Sequence, residues 1–193
     1  MSTLTFFRKF LHSPGRVGAV MPSSHALADR MCQIGGVGSA DLVVEAGAGT
    51  GVFTKKILEQ LPASSRFLSI EIDPYLAQVT RDANPTVDLV CDCATNVAQH
   101  LSDRGLGKVD VIVSGLPWAV FSEELQSDLI RSFLAVLKPG GSFVTFAYLQ
   151  GLHMPAGKRF SKRLDDSFTS VERSAPVWRN VPPAIVIKAV KDA

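Results

Sequence analysis

Short apolar runs alternate with amphipathic stretches along most of the chain. Leu42–Glu45, Phe67–Ile72, Val87–Cys91, Val109–Ser114 and Phe143–Tyr148 are rich in β-branched or aromatic residues and bounded by Gly, Pro or Asp, which predicts strands. Between them the spacing predicts helices over 52–61, 74–83, 94–102 and 123–137. Asp73-Pro74 supplies a capping carboxylate and a proline at the first helical position, while Lys138-Pro139-Gly140-Gly141 supplies a basic last turn and then breakers. This alternation predicts an α/β fold with a mostly parallel sheet covered by helices on both faces. Beyond Tyr148 the pattern changes. Phe168–Arg173 and Ala184–Val190, turning around Val181-Pro182-Pro183, predict a final pair that brings the sheet to seven strands with an antiparallel edge strand. Before Leu42 only helix is expected, in two pieces split near Ser13-Pro14-Gly15.

The length of 193 residues suits one domain with one sizeable core. It divides into a helical N-terminal segment (1–40) that would meet substrate or membrane, a central core (41–148), and a substrate-side insertion with the last strand pair (149–193). No apolar stretch approaches the ~20 residues of a membrane span, and Arg8 and Lys9 interrupt the apolar N-terminus, so no signal peptide is expected. Cys32, Cys91 and Cys93 are an odd number without a second ligand pair. Reduced thiols, no metal site and a cytoplasmic location are the expectation. The net charge of +2 hides an uneven distribution, with +3 over residues 1–28, −5 over 29–149 and +4 over 150–193. Basic ends attract an anionic partner such as phosphate, nucleic acid or a lipid headgroup, although they also suit a plain solvated face.

The candidate chemistry begins at Glu45-Ala46-Gly47-Ala48-Gly49-Thr50-Gly51, directly after the first strand. Glycines there allow a sharp turn and close backbone approach to a ligand, and the following helix offers free N–H groups. The dinucleotide fingerprint would require glycine at position 52, where this chain has Val52. Glu71 ends the second strand, where a carboxylate can accept ribose hydroxyls, and Asp92 follows the third, where it can accept from an adenine amino group. Ligands of open α/β sheets bind beyond the carboxyl ends of the strands. Ile72 and Cys93 beside these acids, and Ser114-Gly115 at the end of the fourth strand, complete the expected cofactor set. Each acid taken alone also suits a helix cap.

The glycine spacing with its preceding acid resembles that of Rossmann-like class I methyltransferases, which implies S-adenosyl-L-methionine as cofactor and S-adenosyl-L-homocysteine as product. A closer resemblance spans about Phe7 to Lys188. It is carried by Val17-Gly18-Ala19-Val20-Met21-Pro22-Ser23-Ser24, the glycine loop, Ser114-Gly115-Leu116-Pro117-Trp118 and Arg179-Asn180-Val181-Pro182-Pro183-Ala184. These look like the soluble bacterial phospholipid N-methyltransferases, a group similar to the ribosomal RNA adenine dimethylases. The resemblance implies methyl transfer to phosphatidylethanolamine and its methylated derivatives at the inner face of the membrane. The adenine methylases carry Asn-Leu-Pro-Tyr after the fourth strand, whose amide holds the base. Here Gly115 stands at the asparagine, the chain carries no separate RNA-binding domain after its last strand, and nucleic acid is not expected as a partner.

An amine acceptor must meet the methyl group in line and unprotonated, and aromatic faces suit the cationic product. Trp118 and Tyr148 are the candidate catalytic residues, with Phe121 also near a strand end. Trp118 equally suits closing the core over the cofactor, and a lone Tyr148 equally suits a structural role. The candidate substrate contacts are Phe7, Phe10, Ser23, Ser24, Leu116, Pro117, Arg179 and Asn180. Leu4, Phe7 and Leu11 share a helical stripe beside Phe6 and Phe10, with Arg8 and Lys9 toward the other side, as an interfacial membrane helix or a core-facing helix would have them. Lys158-Arg159 and Lys162-Arg163 flank Phe160 in a stretch expected to be irregular, and Arg179 and Asn180 would meet the lipid phosphate or glycerol. The alternatives are an RNA adenine or small-molecule methyltransferase, and a cofactor-binding partner without catalysis. A monomer is expected.

Overall fold

The computed structural model describes residues 23–193, so Phe7, Phe10 and the N-terminal stripe lie outside the described residues. The chain runs α1 (His25–Gly35), β1 (Leu42–Ala46), α2 (Val52–Gln60), β2 (Arg66–Glu71), α3 (Pro74–Ala83), β3 (Leu89–Cys91), α4 (Val97–Asp103) and β4 (Val109–Ser114). It continues through α5 (Glu123–Val136), β5 (Leu137–Tyr148), α6 (Pro155–Ser167), β6 (Ser170–Arg173) and β7 (Ala184–Val190). The seven strands form one sheet in the order β3-β2-β1-β4-β5-β7-β6. Pairing is parallel from β3 to β5 and antiparallel on both sides of β7. The antiparallel strand therefore sits one place in from the edge.

Both faces are buried, which is why the strands read as continuous apolar runs. Val43, Phe67, Val111, Val144 and Val186 pack under α1 and α2 on one face, with Ala77 of α3 on Leu89 alongside. Val44, Leu68, Ile112, Phe143 and Ile187 pack under α4, α5 and α6 on the other. α5 shows how the sequence specifies such a helix. Ser122 caps it by accepting from the Leu125 N–H (3.3 Å), Glu123 and Glu124 occupy the positive first turn, and Gln126, Leu129, Ile130 and Phe133 recur on the buried side.

Two expectations are corrected. The breakers at Lys138–Gly141 end α5, but they lie inside β5, which begins at Leu137; Gly140 turns the chain at φ 71° and the register against β4 shifts between Val109 and Val111. The stretch 155–167, expected to be irregular, is α6. Pro155 opens it, Phe160 and Leu164 one turn apart bury its inner face, and Lys162 pairs with Asp166 at 2.6 Å on the outer one. β3 and β6 are shorter than expected, beginning at Leu89 and Ser170.

Candidate active site

β1 is buried at all five positions, and at its end the backbone breaks into the glycine loop. Gly47, Gly49 and Gly51 have φ of 84°, 60° and 82°, a left-handed run that side chains resist. Around Gly49 no atom lies within 4 Å of where a Cβ would stand, so the loop presents its open side there. The Gly49 N–H donates to Glu71 Oε2 at 2.8 Å and its carbonyl accepts from the Thr80 hydroxyl at 2.9 Å. Asn84 Nδ2 donates to the carbonyls of Thr80 (3.1 Å) and Gly51 (3.4 Å). Thr80 and Asn84, on α3 and just after it, thus hold the loop from the side. They were not among the sequence candidates, because a threonine and an asparagine near a helix end look like ordinary capping residues.

Three acids lie at the ends of adjacent strands. Glu45 is fully buried, and its Oε2 accepts from the hydroxyls of Thr54 (2.7 Å) and Ser69 (2.6 Å), tying the first turn of α2 to β2. Its Oε1 has no partner among the described residues. Burial pushes the Glu45 carboxyl up to about 7, against the lowering effect of those two hydroxyls. Glu71 accepts from Gly49 N and, through Oε1, from Asp73 N at 2.9 Å; burial raises its pKa while these backbone donors oppose the rise. Asp92 accepts from Cys93 N (2.7 Å), Asn96 Nδ2 (2.9 Å) and His100 Nε2 (2.7 Å), and the Asn96 hydrogen bond leads in lowering its pKa.

A carboxylate has about four acceptor positions, so the buried Glu71 and the half-buried Asp92 each retain some acceptor capacity beyond these bonds. A retained lone pair at the end of β2 suits a ribose hydroxyl, and one at Asp92 suits an adenine amino hydrogen. Neighbouring strands lie ~4.8 Å apart, so the ends of β1, β2 and β3 span about the length of a nucleoside. The open side at Gly49 and these unused lone pairs fit the expected cofactor. Ile72 and Cys93 are half-buried beside the acids, and Thr50 is exposed at the loop tip.

The end of β4 departs from expectation. Gly115 donates its N–H to the Ala46 carbonyl at 2.9 Å, and a Cβ at Gly115 would stand 2.5 Å from the Gly47 carbonyl oxygen. No side chain fits at that position without displacing the glycine loop. Leu116 lies over Gly47, where a Cβ would meet Leu116 Cδ2 at 2.8 Å, and Pro117 is half-buried. Ser114, expected among the cofactor contacts, has its hydroxyl fully buried, where it accepts from the Trp118 indole N–H (3.1 Å) and Leu116 N (3.4 Å) and is not open to a ligand. Of the two readings of Trp118, the structure has the ring closing the core and not open as an acceptor contact. That ring is 3% exposed, stacked on Phe160 at 4.3 Å and 11°, and flanked edge-on by Phe121, Phe133 and Phe143.

Asn180 and Ser24 form a structural tie rather than an open substrate contact. Asn180 is buried, its Oδ1 accepts from Ser24 N at 2.8 Å, and its Nδ2 donates to the Pro182 carbonyl at 2.7 Å. The Ser24 hydroxyl caps α1 by accepting from Leu27 N at 3.2 Å, Ser23 is half-buried, and Arg179 is exposed. Tyr148 differs from all of these. At the carboxyl end of β5 its ring meets Phe146 edge-on, its hydroxyl is shielded and has no partner among the described residues, and burial raises its pKa.

The family model described as a methyltransferase domain matches residues 43–141. The ornithine lipid N-methyltransferase of Singulisphaera acidiphila is 34% identical over 182 residues, covering 93% of this chain and 91% of that protein. The ribosomal RNA small subunit methyltransferase A of Chlorobaculum tepidum is 34% identical over 87 residues, 45% of this chain and 30% of that one. Among solved structures, the O-methyltransferase from Bacillus cereus in complex with SAH has a TM-score of 0.65 at 15% identity, covering 99% of this chain and 91% of that chain.

Proposed function

The chain belongs to the class I S-adenosylmethionine-dependent methyltransferases, and on that premise we propose that it methylates the amine of a membrane lipid headgroup. The observation that carries this reading is the 34% identity to an ornithine lipid N-methyltransferase over 93% of the chain. The acceptor is a primary or partly methylated amine on a short polar head with acyl chains, as in phosphatidylethanolamine or ornithine lipid. Gly115 supports the reading. An adenine acceptor needs a side chain to hold the base edge, and position 115 lies against the Gly47 carbonyl with no room for one.

The glycine loop, Glu71 and Asp92 would hold the cofactor, which when bound would supply a methyl group on a sulfonium that is already a good electrophile. The protein is left with positioning. Leu116 and the aromatic cluster around Trp118 exclude water from the floor behind the β4 loop. The unpartnered Tyr148 hydroxyl accepts from the neutral amine, orienting its lone pair toward the transfer point. No helix among the described residues is long and apolar enough to cross a membrane, and in this reading the headgroup is approached from the bilayer surface.

The test supplies methyl-labelled cofactor with phosphatidylglycerol vesicles containing phosphatidylethanolamine or ornithine lipid, followed by separation of the lipids. Label in at least one aminolipid is expected. Equal transfer to free ethanolamine phosphate or ornithine without lipid would remove the lipid from the proposal.

A further inference from the structure

The loop between β6 and β7 exposes apolar surface where the fold gives it no reason to. Trp178 is 70% exposed and Val181 64%. Isolated surface hydrophobes are ordinary, but these two flank Arg179, also exposed, on one rigid loop. The Asn180 N–H donates to the Val177 carbonyl at 3.2 Å, which closes a turn with Trp178 and Arg179 as its two central residues. The Val177 N–H donates to the Ala184 carbonyl at 2.7 Å, and buried Asn180 fixes the base of the turn to Ser24 and Pro182. The ring is held outward by a structured support.

Its position is also informative. Ala184 pairs with Tyr148, so the turn stands at the end of the sheet where the acceptor is proposed to enter. The Leu149 N–H donates to the Pro183 carbonyl at 3.1 Å, which starts the segment leading to α6 beside the same loop. That segment carries exposed Met154, and α6 then presents Lys158 and Arg159 to solvent. None of Arg179, Lys158 and Arg159 makes an ion pair among the described residues. Apolar tips beside unpaired cations at one end of a sheet match an anionic bilayer interface, where indole rings sit at headgroup depth and each basic residue meets acidic lipid.

Resting on the lipid-amine reading, we propose that the Trp178–Val181 turn is an interfacial anchor that inserts into anionic membrane and sets the mouth of the active site against the headgroups. The chain has two tryptophans, and Trp118 is buried, so the emission of Trp178 can be read in the whole chain. Titration with phosphatidylglycerol–phosphatidylcholine vesicles is expected to shift emission to the blue, and W178F, which keeps Trp118, is expected to lose the shift. W178S should weaken vesicle partitioning about tenfold and R179Q about fivefold, the latter fading with added salt. Methyl transfer from W178S should fall on vesicles and hold on a dispersed short-chain aminolipid. Emission unmoved by vesicles, or W178S partitioning like the parent, overturns the anchor. A parent-minus-W178F difference spectrum that is already blue before vesicles are added means that the Trp178 ring is covered in solution, and overturns it too. The two readings fail separately: a Trp178 shift without transfer to any lipid upholds the anchor and rejects the acceptor, while transfer without the shift does the reverse.

Discussion

At the ends of β1, β2 and β3 the carboxylates keep acceptor capacity beyond their internal hydrogen bonds, whereas around β4 and β7 nearly every polar group is already tied to a neighbour. Glu71 and Asp92 each hold their own loop and still have lone pairs for a ligand. Ser114, Trp118, Ser24 and Asn180 direct their donors and acceptors inward. On the lipid-amine reading proposed above, the difference follows from what each side would recognise. A nucleoside is bound by directional hydrogen bonds, and an amine on a lipid needs shape, exclusion of water and few polar partners. Tyr148 is the exception on the acceptor side, with a shielded hydroxyl that nothing described satisfies.

The comparison can be broken in several places. The largest effect is expected at Trp118. If it closes the core, W118A should cost about 3–5 kcal/mol in urea denaturation, with the methyl acceptor KM of the folded enzyme little changed by W118F. A stable W118F that loses acceptor affinity would return the ring to the substrate. Next, G115A drives a methyl group onto the Gly47 carbonyl and displaces the loop. Cofactor affinity measured by calorimetry should drop about 100-fold, the scale on which small misplacements act.

Glu45 gives a pH signature. Its folded pKa of about 7 lies above its ordinary value of 4.5, so the native state binds more protons between those pH values. Its contribution to stability is present below pH 4.5 and is lost as pH rises through 7. E45Q keeps a partner for Thr54 and Ser69 without a charge, and should remove about 2 kcal/mol of the fall in unfolding free energy between pH 5 and 8. An unchanged slope in E45Q would show that the carboxyl is not desolvated in the folded state. The smallest effect is at Tyr148, where Y148F should lower kcat about fivefold with cofactor affinity intact, the scale of one hydrogen bond. Unaltered kcat would leave the hydroxyl without a role in transfer.

How much of this was legible in the sequence divides along the same line. The glycine loop and the acids at 45, 71 and 92 follow from strand ends and backbone constraints, which local sequence carries. The seven strands follow from apolar runs whose length reflects burial on both faces. For Trp118 the sequence left acceptor contact and core closure equal, because its neighbour Phe160 lies 42 positions away on a helix hidden by a charged sequence. α6 has mostly polar residues, and only the Phe160–Leu164 spacing with Pro155 marks it. Asn180 resembled a ligand-binding residue because its partner Ser24 is 156 positions distant. Long-range partners decide whether a polar side chain is available, and periodicity does not report them.

The most direct test of the acceptor places both candidate classes in one vessel. Methyl-labelled cofactor is added to the full chain with aminolipid vesicles and unmodified ribosomal RNA together, and label is counted after organic and aqueous phases are separated. A lipid-amine methyltransferase leaves the label in the organic phase on the aminolipid. Label recovered in the RNA, with the lipid unmodified, would contradict it.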